Sequence, residues 1–345
     1  MEPAPCTRMV LLVLAGLCLG AVRSAAADRP DSLPLEDACS GWLMLLEGES
    51  PLCWEFAGPV EVRDDTLIVG GEKPAKMTSK VRLGPGEFRW SYRYVGPPDL
   101  TFEHGSRRRL TPTQHRLIAE TERLESAEPV VITVPAGGQL RILDASFRPD
   151  YSIPLFDGRS LKGWKRFSGD PKREKSQFSV TPEGWLHVLG GPGDLQSERQ
   201  FADFFLHVEC RTNGSGLNSG IFFRALPGEY QQGYEAQIHH GFNGGDRGRP
   251  SDFGTGGIYR RKPARRIVAQ DHEWFVLTVA ADGERILTWV NGYPVCDFRD
   301  DRPAHPNPRS GRKTSAGAIS IQGHDPTTDL HFRKIQVCPL PSKLK

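Results

Sequence analysis

Beyond Val22 the chain has no apolar run long enough to cross a bilayer, so no stable membrane span is expected there. It also lacks a charge excess: 44 Lys and Arg face 42 Asp and Glu, and a net charge of +2 argues for no particular partner. The Arg107–Arg109 run lacks interleaved aromatics, which argues against nucleic acid. No Gly-Lys-Ser/Thr follows the Gly-rich stretch 247–266, so it is not a phosphate-binding loop. Cysteines are few, seven in all, and their spacings match no zinc pattern. What is plentiful is glycine (37) and proline (28), which suits many strands joined by turns better than long helices.

The N-terminus reads as a secretory signal. Arg8 precedes the apolar stretch Met9–Val22, and the small residues Ala25 and Ala27 place cleavage after Ala27. A secreted or periplasmic protein is expected. Cleavage leaves Cys39, Cys53, Cys210, Cys296 and Cys338, an odd number, with Cys39–Cys53 the first pair to consider as a disulfide.

Two stretches align without a gap. "LMLLEGESPLCW" (43–54) and "IPLFDGRSLKGW" (153–164) share an acidic-Gly-x-Ser and a Trp six residues beyond the Gly. "LRILDASFRP" (140–149) and "LHFRKIQVCP" (330–339) correspond at the far ends. The chain therefore reads as two copies of one β unit joined near residue 150. The expected division is 1–27 signal peptide, 28–150 a smaller, degenerate accessory β domain, 151–340 the fuller copy and 341–345 a tail. The first copy shows no counterpart to "NSGIFFR" or "YEAQI". The spacing of Leu117, Ile118 and Leu124 predicts one short amphipathic helix there instead.

The second copy alternates. Leu206, Val208 and Cys210 fall on one face of "FFLHVECR", and Ile319 and Ile321 oppose Ser320, Gln322 and His324 in "AISIQGH". "ADGE" and Asn291–Gly292 are hairpin signals. The fold expected is all-β, an antiparallel β-sandwich whose apolar faces make the core. Its polar face can curve into a groove. In "YEAQIHH" (234–240) that face gathers Glu235, Gln237 and His239. Such a face suits a sugar, with Tyr234, Tyr259 and Trp289 as apolar surfaces under the ring. Trp164, Trp185 and Trp274 read as core anchors. The basic stretch 247–266 reads as a loop edging the groove, with a subsite for an anionic glycan as its second reading. Residues 303–313 read as loop on composition alone.

In order, "LFDGRSLKGW", "NSGIFFR", "YEAQI", "TGGIY", "HEWFVLTV", "WVNGYPV", "IQGHD" and "LHFRKIQV" resemble the 3-keto-disaccharide hydrolase family. The resemblance covers about 185 residues, a normal length for one all-β domain. It implies a concanavalin-A-like jelly roll acting on glycosides oxidised at C3. A C3 ketone acidifies the C2 proton; its removal lets the C1 aglycone leave, and hydration completes a net hydrolysis. Such a site needs a base, a proton donor and an enolate stabiliser. The resemblance implies Glu235, His324 and Arg224 as catalytic residues. It implies Gln237, Asn218, Ser219 and Gln322 as hydroxyl binders, alongside Tyr259 and Trp289. One divalent metal, held by Glu235, His239 and His324, is a further implied cofactor.

The chain also departs from the pattern. The family's Asp after "YExQIL" is His240 here, and its "LQDHG" is "IQGHD", with Gly323 for Asp and a new Asp325. His239 and His240 are the imidazoles available in their place. The alternative to an enzyme is a non-catalytic carbohydrate-binding, lectin-like module, and a third reading is a structural envelope protein used in adhesion.

Overall fold

The computed structural model describes residues 33–47 and 51–341. The expected signal segment 1–27 and residues 342–345 of the expected tail lie outside the described residues. Almost all regular structure is antiparallel strand, with one short helix at Leu35–Cys39 and a 3-10 turn at Pro171–Arg173. The alternation read from the sequence is what builds it. In Gly86–Val95, Phe88, Trp90, Tyr92 and Tyr94 are buried while the residues between them turn outward.

The strands form four sheets, paired as two sandwiches. In the second half an eight-stranded sheet runs in the order 177–180, 186–189, 329–339, 204–212, 274–282, 285–290 and 293–299, with 153–154 added beside 329–339. Facing it is a five-stranded sheet in the order 164–166, 193–201, 317–323, 219–225 and 234–238. Ile221, Phe223, Tyr234, Ala236, Ile238, Ile319 and Ile321 of the smaller sheet share one apolar core with Leu206, Val208, Cys210, Phe275 and Leu277 of the larger.

The first half repeats this plan. Its six-stranded sheet runs 60–63, 66–71, 138–149, 86–95 and 118–124, with 43–44 added beside 138–149, and its five-stranded sheet runs 54–57, 75–79, 131–134, 101–104 and 106–109. Trp54 Nε1 donates to the Leu45 carbonyl at 2.9 Å, and Trp164 Nε1 donates to the Leu155 carbonyl at 2.7 Å. The sequence repeat thus marks one bond made twice.

Two expectations for the first half are corrected. The segment expected as a helix is the strand Ile118–Leu124, paired with Gly86–Val95. Its period of two governs, because the neighbouring strand supplies hydrogen bonds that a lone short helix would lack. "NSGIFFR" and "YEAQI" do have positional counterparts, Thr101–His104 and Ser106–Arg109. The latter was invisible because all four residues are exposed and carry no apolar alternation.

The sandwiches are joined through the back of the eight-stranded sheet. Phe205, Ala280, Leu287, Trp289 and Cys338 belong to the apolar core of the first half. Trp289 is fully buried there and donates to the Met44 carbonyl at 2.9 Å, so it is not a sugar platform. Beside this seam Arg82 is ion-paired to both Asp203 and Asp282, each at 2.8 Å. Tyr234 is likewise a core residue, its hydroxyl donating to Asp300 at 2.6 Å. Trp164 is buried as expected, but Trp185 and Trp274 are only half-buried, meeting edge to face at 5.1 Å.

All five described cysteines are free thiols. The Cys39–Cys53 disulfide is therefore not formed: Cys39 accepts from Arg333 at 3.3 Å, while Cys53 is buried and points at the Met44 carbonyl. Cys210 acts as the small core hydrophobe expected of it.

Arg82→Ala would leave two buried carboxylates short of a cation, and is expected to cost about 3–5 kcal/mol. Urea denaturation checks this. Arg63→Ala, which breaks an exposed pair with Glu61, should leave the midpoint unchanged within error.

Candidate active site

The outer face of the second five-stranded sheet is polar at its centre. Asp194 lies opposite Gln322, and Phe222 opposite both Glu235 and Ser320. Strand Tyr234–Ile238 is the sheet edge, and the loop after it covers that edge with backbone bonds: Tyr259 N donates to the Glu235 carbonyl and Gln237 N to the Gly257 carbonyl, each at 2.9 Å. This fold-back carries the Tyr259 ring to the mouth of a cavity of about 540 Å³.

Glu235 lies on the cavity floor, 4% exposed. Gly220 makes room for it, since a Cβ there would sit 2.7 Å from Glu235 Oε1. Its Oε2 accepts from Arg309 Nη2 at 2.9 Å. Burial pushes the carboxyl up, and Arg309 and His324 draw it back down. Arg309 is itself fixed by a bond from Nε to the Gln231 carbonyl at 3.0 Å, and its guanidinium lies 5.1 Å from the Phe222 ring centroid.

Around this pair stand amides. Gln237 Nε2 and Asn218 Nδ2 both donate to Asp252 Oδ2, at 2.8 and 2.7 Å. That leaves Gln237 Oε1 turned elsewhere with no protein partner, and Gln322 Oε1 is likewise buried and unpartnered. Two buried acceptors lining a cavity match a ligand rich in hydroxyl donors. His324, exposed at the rim, is bonded through Nδ1 to Asp325 Oδ2 at 2.8 Å, and Asp325 is in turn bonded by Thr327.

Of the residues expected at the site, Glu235, Gln237, Asn218, Gln322, His324 and Tyr259 line this one cavity. Four do not. Arg224 is fully buried, its donors spent on Ala202, Gly283 and Lys313 carbonyls and on Asp203, so it has no free fork for an enolate. Ser219 is buried and donates to the Gln322 carbonyl at 2.7 Å. Trp289 is in the seam between sandwiches. His239 lies just past the strand end, its ring held between the Leu217 carbonyl and Ser251 Oγ. The Glu235, His239 and His324 set is therefore not assembled, and no group of three or more His, Cys, Asp or Glu fit for a metal occurs among the described residues. His240 does not replace the family's Asp either. It is buried against Phe275, bonded to Thr255 Oγ1 at 2.7 Å, and burial pushes it down to about 4, hence neutral.

Sequence reasoning missed Arg309, in a segment read as loop by composition, and Asp194. The alternation Asp194, Leu195, Gln196 with a core Leu195 was a usable signal for Asp194. This carboxyl is 1% exposed and accepts from Gln231 N at 2.9 Å through Oδ2. Burial, with the nearby Glu235 charge, raises it to about 7.

The folded protein thus keeps a proton on Asp194 that the unfolded chain releases between about pH 4 and 7. Stability from this group is full below about pH 4 and is lost as pH rises through 7. Asp194→Asn removes the dependence. Denaturation at pH 5 and 8 should show the variant gaining on the parent as pH rises, by on the order of 3 kcal/mol at pH 8. A constant gap would mean that the carboxyl titrates at its ordinary value.

A family model described as 3-keto-alpha-glucoside-1,2-lyase-like domain matches residues 151–338. No curated protein matches the chain. Among solved structures, a candidate glycosyl hydrolase from Parabacteroides distasonis is 20% identical with a TM-score of 0.43, the match covering 54% of this chain and 93% of that one. A carbohydrate-binding module from Bacillus subtilis is 15% identical with a TM-score of 0.36, covering 50% and 93%. A beta-glucanase from Bacillus licheniformis is 12% identical with a TM-score of 0.36, covering 54% and 96%. The family match spans more than half of the sequence and contains every residue that lines the cavity, and through it the chain belongs to the 3-keto-alpha-glucoside-1,2-lyase-like domain family.

Proposed function

We propose that this cavity splits a glycoside carrying a ketone at C3 by elimination and hydration. The observation that supports it most is Glu235, a buried carboxylate paired with a cation and set among unpartnered amide acceptors. Glu235 takes the proton from C2, and the C–H electrons move into a C2–C3 enolate. Negative charge thereby leaves Glu235 and appears on the C3 oxygen, within reach of the same Arg309 guanidinium. A cation that serves both ends of this transfer lowers the barrier without moving. The enolate then reforms its ketone, the C1–O bond breaks, and His324 at the rim gives a proton to the departing oxygen. Water then adds to C1 of the enone: His324 takes the proton from that water and Glu235 returns its proton to C2, which restores both groups. Gln237, Asn218 and Gln322 orient the ring hydroxyls, and Tyr259 covers an apolar sugar face.

No step is routed through a metal, because the implied donor set is not assembled. The signal-like N-terminus supports work outside the cytoplasm. A second reading, sugar binding without turnover, draws on the loss of two acidic positions at His240 and Gly323.

The test is release of a chromogenic aglycone from a 3-keto-β-glucoside, with and without chelator. Glu235→Gln is expected to lower kcat/KM by about 100- to 10,000-fold, and His324→Ala by a smaller factor. Loss of release on chelation would return a metal to the site. Glycan binding with no release from either 3-keto anomer would favour the second reading.

A further inference from the structure

Four arginines line the cavity, at 173, 260, 261 and 309, against one carboxylate, Glu235. Arg309 is matched by that carboxylate at 2.9 Å. Arg173 is paired among the described residues with Asp170, at 3.4 Å and with both side chains about half exposed. Arg260 and Arg261 have no acidic partner within ion-pair distance among the described residues. Of the other acids nearby, Asp300 is paired with Arg302, Asp325 is bonded to His324, and Asp194 keeps its proton to about 7; Asp252, though still charged, is held by hydrogen bonds from Gln237 and Asn218 and not from Arg260 or Arg261.

The surplus charge is built in, not scattered. Arg261 Nη2 donates to the Arg309 carbonyl at 2.7 Å and Nη1 to the Arg260 carbonyl at 3.1 Å, which locks its guanidinium where two loops meet. Arg260 lies over Tyr259 at 5.4 Å and Arg173 over Tyr230 at 4.7 Å. Ring stacking of this kind holds a guanidinium in place while leaving N–H groups on its edge to point at a ligand. Converging guanidiniums without counter-charges repel one another, and an anion between them relieves the repulsion. A planar fork fits carboxylate or sulfate oxygens in pairs.

We infer that the natural glycoside carries an anionic group, a carboxylate or a sulfate, on the part of the molecule that lies at the cavity mouth. The inference rests on the reading of this cavity as the glycoside site.

Three chromogenic 3-keto-β-glucosides test it, each with a nitrophenyl aglycone that bears a carboxylate, a sulfonate or the neutral methyl ester. The expected result is a kcat/KM at least roughly tenfold higher for one charged aglycone than for the ester at low salt. That ratio should shrink as salt is added and fall toward one in Arg260→Gln. The better charged arm separates a uronate-type substrate from a sulfated one. Equal cleavage of all three would overturn the inference and leave the elimination reading standing. If none is cleaved, calorimetry compares a glucuronic-acid disaccharide with its neutral glucosyl analogue. Tighter uronate binding would keep the inference and remove the elimination reading, whereas equal binding would remove both.

Discussion

One buried carboxylate, Asp203, holds guanidiniums from both sandwiches. Arg82 reaches its Oδ2 from the first and Arg224 its Oδ1 from the second, at 2.8 and 2.9 Å. Two cations at such depth are tolerated only because nearly every donor is filled. Arg224 adds bonds to three backbone carbonyls and holds a left-handed backbone, φ 48°. From there bonds run on toward the cavity. Lys313 donates its ammonium to the Arg224 carbonyl, and its backbone N–H to the Tyr234 hydroxyl. That hydroxyl binds Asp300, which pairs with Arg302, and Arg302 donates to the Pro308 and Gly311 carbonyls on either side of Arg309. The cation beside Glu235 is therefore held in place by a network rooted in the seam between the two halves. This gives the first sandwich a physical connection to the site although none of its residues lines the cavity.

The same network explains why a motif arginine is not a catalytic one. Arg224 alternates with Phe222 in the strand, and the family resemblance placed it at the site with Glu235. Its left-handed backbone breaks that alternation and turns the side chain into the seam, where Gly317 packs directly on its backbone. The charge that meets Glu235 comes instead from Arg309, 74 residues beyond it in the chain.

Much of the fold was legible because one residue pattern carries both packing and position. Alternation in "YEAQI" and "AISIQ" separated core from cavity correctly: Ala236, Ile238, Ile319 and Ile321 are in the core, while Glu235, Gln237 and Gln322 are on the floor. The Trp at the end of each repeat marked the same hydrogen bond twice. What stayed hidden depends on contacts distant in sequence. Ser106–Arg109 is a strand only because Thr101–His104 pairs with it. Trp289 alternates as a groove residue would, yet the face it occupies is covered by the first sandwich. Arg309 sits in a stretch whose composition says loop and nothing more.

The two departures from the family pattern also have physical reasons here. At 323 no side chain fits: a Cβ would lie 2.0 Å from Ser176 Oγ and 2.6 Å from the Gly190 carbonyl. The packing of that segment against the strand thus excludes the family's Asp. At 240 the residue is buried against Phe275 under conditions that favour a neutral ring, and a carboxylate there would be costly. The change at 240 removes negative charge next to the strand that carries Glu235, whereas beside Gln322 the acid is moved from 323 to Asp325, which binds His324. Around the Glu235–Arg309 pair, Arg260 and Arg261 line the cavity without an acidic partner at ion-pair distance among the described residues. An anionic group on the ligand is the counter-charge that two such guanidiniums would accept in paired hydrogen bonds.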